Sequence, residues 1–273
     1  MQLLIKWQGV FSCFKRITFT IASTTLLIAT PTASPLNDHV AYCSELPGQQ
    51  SPPERLNNLM LQIRDRRITR QAAYGALQQL LDEVRGAYYQ SGGIDAPKSE
   101  WHFPIAGSDA GAITKGRKHG YIVSGYDFYA GNQHKGHPSL DIFIPDRDRD
   151  CLDDRSGKTV KVISMTAGIV VAAEKNWKTG SRLRGGRYLW VYDPGNDIMV
   201  YYAHNENLLV AVGDLVRPGD IIATVGRSGY NAAKLRSPTH LHLTVLKVSN
   251  GQMTPVDVYS DLKKTKLQNR NYD

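Results

Sequence analysis

Apolar residues recur at helical spacing in two early stretches, first Leu56, Leu59, Met60 and Ile63, then Leu77, Leu80, Leu81, Val84 and Tyr88. Positions i, i+3, i+4 and i+7 lie on one stripe of a helix. The spacing therefore predicts two amphipathic helices joined near Arg66-Arg67, within residues 52–92, with Gly75 as a weak point in the second. A pair this small cannot bury both stripes alone, so it is expected to pack on the domain that follows or to offer a partner or dimer surface. An extended lead with Pro35, Pro52 and Pro53 precedes it, and a linker ending near Pro97 follows. From Trp101 the pattern changes to short β-branched and aromatic segments broken by Gly, Pro, Asn and Asp. Residues 142–144, 161–165, 168–172, 187–192, 198–202, 220–225 and 240–247 read as strands, with Asp193-Pro-Gly-Asn-Asp197 as a hairpin loop. The expected class is mainly β, an antiparallel sheet preceded by a short helical segment.

The first 33 residues carry Lys6, Lys15 and Arg16, no acid, and then an apolar run from Ile17 to Ala29. This reads as a secretory signal peptide, too short and too rich in Thr and Ser to span a bilayer, so an exported, periplasmic or secreted protein is expected. Its removal takes three positive charges and no negative ones, lowering the formal charge from +8 to +5. That balance suits an anionic partner such as a cell wall and lacks the clustered basic footprint of a nucleic-acid binder. Cys13 leaves with the leader, and the remaining Cys43 and Cys151 are expected to form a disulfide in an oxidising compartment. Tyr42 stands where a lipoprotein signal needs a small residue, so no lipid anchor is expected.

Chemistry concentrates in a few histidines. In Pro238-Thr-His-Leu-His-Leu243 the strand alternation puts His240 and His242 on one face, about 7 Å apart, and Leu241 and Leu243 on the other. A solvated polar strand face explains that pattern as readily as a metal site. Upstream, His137 and Asp141 stand four apart near the mouth of a strand. Catalytic zinc takes three protein ligands from His and carboxylate and leaves a fourth position to water. His137, Asp141 and one of the two strand histidines supply such a set, while His204 ends another strand. His134 lies seven residues before Asp141, and it and His119 read as loop histidines; His39 and His102 have no partner pattern.

The order His137-x-x-x-Asp141, Tyr202-x-His204, Val212-Gly-Asp-Leu-Val-Arg-Pro-Gly-Asp-Ile-Ile222 and His240-x-His242 resembles the lysostaphin-like (LytM-domain) zinc endopeptidases, and Trp101–Gly107 resembles their usual opening. The resemblance covers roughly residues 101–260. It implies an open antiparallel sheet or sandwich, one zinc held by His137, Asp141 and His242, and His204 and His240 as the two catalytic histidines beside the metal-bound water and the scissile carbonyl. Which of those two is base and which stabiliser stays open, and Tyr202 reads as a packed strand residue. The implied substrate is the stem peptides and cross-bridges of peptidoglycan. Ser139 departs from a frequent family glycine, and residues 145–157 lengthen the link after the Asp141 strand. There Asp146, Asp148 and Asp150 alternate as in a calcium loop, but Cys151 and Gly157 stand where glycine and glutamate belong, so a disulfide-tethered rim loop is expected instead.

The expected organisation is a signal peptide at 1–33, lead at 34–51, helical segment at 52–92, linker at 93–100, zinc endopeptidase domain at 101–262 and tail at 263–273. The alternative is a silent or autoinhibited wall-binding protein that activates another hydrolase, its groove covered by the helices. A lipoyl-type carrier would share the Val212–Ile222 hairpin but leaves the histidines unexplained.

Overall fold

The structure, a computed structural model, describes residues 50–268, which fall within one compact unit spanning residues 42–273. The expected signal peptide, most of the lead and Cys43 lie outside the described residues. Among the described residues no helix is long and apolar enough to cross a membrane.

Two helices open the unit, α1 (Pro52–Arg64) and α2 (Arg70–Gln90). Proline at the first position suits the start of α1, and the Glu54 carboxylate accepts the Ser51 backbone N–H at 2.8 Å. Arg66, in the left-handed region at φ 57°, closes α1, and Thr69 caps α2 by accepting from the Ala72 N–H. The strands are β1 (Ser139–Phe143), β2 (Leu152–Asp153), β3 (Lys158–Thr159), β4 (Lys161–Ile163), β5 (Gly168–Glu174), β6 (Arg187–Asp193), β7 (Ile198–Leu208), β8 (Leu215–Val216), β9 (Ile221–Val225), β10 (His240–Ser249) and β11 (Gln252–Pro255), with a short α3 (Tyr259–Leu262) after them. The main sheet runs β1-β10-β7-β6-β5-β8, all antiparallel, with β11 on β10 and β9 joining β7 to β4. Strand β1 extends further back than its apolar run suggests, so Asp141 lies inside it.

Register divides the sheet into two faces. On one, Leu241, Leu243, Val200, Tyr202, Leu189 and Val191 enter a core completed by Trp101, Phe103 and Ile105. On the other, three cross-strand rows succeed one another: Asp141–His242–Ala203, then Ser139–Thr244–Tyr201–Trp190, then Leu246–Met199–Tyr192. The last row is covered by the helices, whose Leu56, Met60, Ile63, Leu77 and Val84 pack with Met199, Leu246 and Ile169. The helical stripes are thus buried against the same face that carries the histidines, one row further along. Leu77 is fully buried there, so Leu77→Ala is expected to cost about 2–5 kcal/mol, read as a shift of the denaturation midpoint at unchanged slope.

The expected disulfide is corrected by the structure, in which Cys151 is a free cysteine. Its Sγ lies 3.9 Å from the Glu206 carboxylate, and burial, then that charge, push the thiol up to about 11. The 146–157 loop is instead fastened by Asp146, whose oxygens accept the backbone N–H groups of Arg149, Asp150 and Cys151 and the Thr239 hydroxyl. Asp148 and Asp154 also come near Asp146, but these bonds already engage both of its oxygens.

Candidate metal centre

Asp141 of β1 stands directly across from His242 of β10, so sheet register sets their side chains together. His137, two residues before β1, is fixed by paired backbone hydrogen bonds with Ile122. Its Nε2 lies 3.3 Å from Asp141 Oδ1, and His242 Nδ1 lies 3.0 Å from the same oxygen. Ligand atoms of all three fall within 4.8 Å of one another. Tetrahedral zinc with bonds near 2.0–2.1 Å separates its ligand atoms by about 3.3 Å, so the donor set fits such an ion. The outward nitrogens have partners of their own: His137 Nδ1 is 3.1 Å from the Gly120 carbonyl, which can keep a proton there when the inward nitrogen binds a metal, and His242 Nε2 is 3.5 Å from the Thr244 hydroxyl.

Burial works to raise the Asp141 pKa, but hydrogen bonds from His137 and His242 override it and hold the carboxyl far below the usual range. The group is therefore an anion at any working pH. Burial, joined by the neighbouring His137 and His240, depresses the His242 imidazole against the pull of Asp141, which favours the neutral ligand form.

His204 and His240 complete the cluster, their rings 4.9 Å apart and the His204 ring 5.4 Å from that of His242. His240 Nδ1 lies 2.8 Å from the Pro238 carbonyl and His204 Nδ1 lies 2.8 Å from the Ser228 carbonyl. A carbonyl can only accept, so each Nδ1 carries the proton and each Nε2 keeps its lone pair. The approach to His240 is held from behind, since the Thr239 hydroxyl donates to Asp146 and Arg227 donates to the Ser237 carbonyl.

His204 departs from the expected strand end: it lies inside β7, in the left-handed region at φ 68°. Between Leu189↔Tyr202 and Arg187↔Asn205, two steps along β6 match three along β7, which is a β-bulge. Without it His204 would follow Tyr202 onto the core face; the extra residue turns the ring onto the site. Gly229 permits the close fit, since a Cβ there would lie 2.8 Å from His204 Nδ1. Burial, then the neighbouring His240, push the His204 pKa well down. Its unfolded form binds a proton that the folded form refuses, so this contribution to stability is present above the usual imidazole pKa and lost as pH falls below it. Thermal unfolding is accordingly expected to fall more between pH 7.5 and pH 5 in the parent than in His204→Gln.

The tyrosines ahead of the bulge keep the regular alternation. Tyr202 faces the core and its hydroxyl accepts the Met165 N–H, while Tyr201 lines the groove beside His242. Tyr201 and Arg184 carried no signal of a site in the sequence. Of the other histidines, His134 lines the groove outside the metal cluster, His119 stacks on Tyr259, and His102 is half-buried with its Nδ1 beside the Glu100 carbonyl. His39 lies outside the described residues.

An antiparallel sheet carrying two histidines and an aspartate able to hold a metal, flanked by two further imidazoles with free Nε2 atoms, defines a metal-dependent hydrolase type of centre. Residues 150–257 match Peptidase family M23. That match includes His204, His240 and His242 and starts after His137 and Asp141. Among solved structures, the chain is similar to the catalytic domain of the antimicrobial peptidase lysostaphin from Staphylococcus simulans, at 24% identity over 56% of this chain and 95% of that one, TM-score 0.37. It is also similar to a putative glycyl-glycine endopeptidase LytM from Ruminococcus gnavus, at 20% identity over 83% and 87%, TM-score 0.39. A zinc-containing peptidase from Vibrio cholerae matches at 22% over 64% of this chain and 41% of that one, TM-score 0.34.

Proposed function

We propose that this protein is a zinc-dependent endopeptidase, exported to the periplasm or beyond the cell, that hydrolyses peptide cross-links of bacterial peptidoglycan. The observation that carries the reading is the meeting of His137, Asp141 and His242 donor atoms beside two imidazoles whose Nε2 lone pairs are free. The match to a peptidase family supports the reaction type. Bound zinc would supply a Lewis acid that polarises the peptide carbonyl and acidifies a water. His137, Asp141 and His242 would hold it. One of His204 and His240 would take the proton of the attacking water on Nε2 and return it to the leaving amine; the other, once protonated on Nε2, would donate to the developing oxyanion. Both are buried, which fixes the rings and strengthens these interactions. The side chains of His137 and Asp141 keep 31% and 21% of their surface exposed, so the groove is reached from solvent with the helices in place, which favours the active over the occluded reading.

The test is digestion of purified peptidoglycan by the leaderless chain, with fragments identified by mass spectrometry. Loss of cross-linked dimers, stopped by a chelator and restored by zinc, is expected. Intact dimers with zinc demonstrably bound would instead favour a wall-binding protein that acts through another hydrolase.

A further inference from the structure

The cavity at the metal centre, about 310 Å³, does not stop at the histidines. It continues over the Thr244–Tyr201–Trp190 row to the end of α1, where Met60 and Ile63 close it, with Tyr126 and Phe128 as a side wall. The helical segment is thus a wall of the groove rather than its lid.

Beyond the histidines, one side of this chamber presents donors without a carboxylate partner. One guanidinium nitrogen of Arg184 donates to the His134 carbonyl at 2.6 Å, which pins the side chain. Among the described residues no carboxylate pairs with it, in contrast to Arg64 on the opposite wall, which is paired with Asp65 and Glu174. Among the described residues neither the Tyr126 nor the Tyr201 hydroxyl makes a hydrogen bond to the protein, and burial raises both phenols' pKa and keeps them protonated. Gly185 sits against Tyr201, where a Cβ would lie 1.9 Å from the hydroxyl, so the backbone itself is shaped around that group. The one carboxylate lining the cavity is Asp141, already engaged by His137 and His242. Unpaired donors facing an apolar-walled space call for an anionic acceptor, and a planar guanidinium matches a carboxylate best.

We propose that this chamber is a carboxylate-recognition subsite, in which Arg184 and the hydroxyls of Tyr126 and Tyr201 hold a free carboxylate of the substrate peptide next to the bond presented to the metal centre. The proposal rests on the reading of the chain as a wall-peptide hydrolase. It makes Arg184 a specificity residue: stem peptides with free acids are preferred over those whose carboxylates are amidated.

The test uses cross-linked muropeptide dimers with their stem carboxylates free or converted to carboxamides. Binding to the leaderless chain carrying His240→Ala, which suppresses turnover, is measured by calorimetry. The free-acid dimer is expected to bind about tenfold or more tighter, the size of one charge-assisted interaction. Adding Arg184→Gln should erase the difference by weakening the acid form alone, and Tyr201→Phe, which keeps the ring, should reduce it partway. Equal binding of both dimers, a loss in Arg184→Gln that strikes both alike, or no binding of either would overturn the subsite. Turnover by the chain with His240 intact is read separately. An acid preference in binding without any cleavage would refute the hydrolase and keep the subsite, whereas equal binding with efficient cleavage of both would do the reverse.

Discussion

Asp141→Ala is expected to strip the protein of its metal and abolish cross-link hydrolysis. Asp141 is the one anionic donor of the set, and a single oxygen of it faces both His137 and His242. Without it two neutral imidazoles remain in a half-buried groove, and neither charge nor geometry favours a divalent cation. Because even outer-sphere partners of a metal ligand are worth about 10–100-fold, loss of the ligand itself should exceed about 100-fold in metal affinity and in turnover. Metal content per chain after dialysis, alongside fragment analysis, checks this. Asp141→Asn keeps the shape and removes the charge, so a similar loss there would assign the effect to electrostatics. A variant that still holds one metal per chain would place the metal elsewhere.

His240→Ala is expected to leave the metal in place and lower turnover by about 10²- to 10⁴-fold, the usual worth of a positioned general acid or base. Its Nδ1 is committed to the Pro238 carbonyl and its Nε2 stands 3.8 Å from Asp141 Oδ1, near the ligands but not one of the three-atom cluster. Metal analysis and substrate KM should therefore stay near the parent values while kcat falls. His204→Ala is the companion experiment. The variant that also erases the acidic limb of the rate profile identifies the base, because only a base must be deprotonated for the step to begin. Loss of metal from His240→Ala would show that the site uses a different ligand set.

Much of the fold was legible because its signals are local. The stripes Leu56–Ile63 and Leu77–Tyr88 repeat at 3.6 residues, and helices lie at Pro52–Arg64 and Arg70–Gln90. The hairpin at residues 194–197 was marked by Pro-Gly-Asn, and the strands by alternation. Strand limits were less legible: β7 runs six residues past its apolar stretch to Leu208, because polar residues there pair with β9 across the sheet. The Cys43–Cys151 pairing is not supported, since Cys151 is a free cysteine and Cys43 lies outside the described residues. Asp146 fastens the loop that the disulfide was meant to tether.

The sequence by itself determined whatever depends on period: which stripe of each early helix is apolar, and that His240 and His242 share a face of β10. Alternation is a property of one strand and needs no partner. Only the tertiary structure decided which residues of different strands meet. Cross-strand register set Asp141 opposite His242, and Thr244 beside Tyr201 and Trp190. The bulge in β7, at a residue with φ 68°, turned His204 onto the site, on the same face as Tyr201. A bulge inverts parity at one residue, and its cause, the fit of β7 between β6, β9 and β10, is spread over chain segments that no local pattern connects.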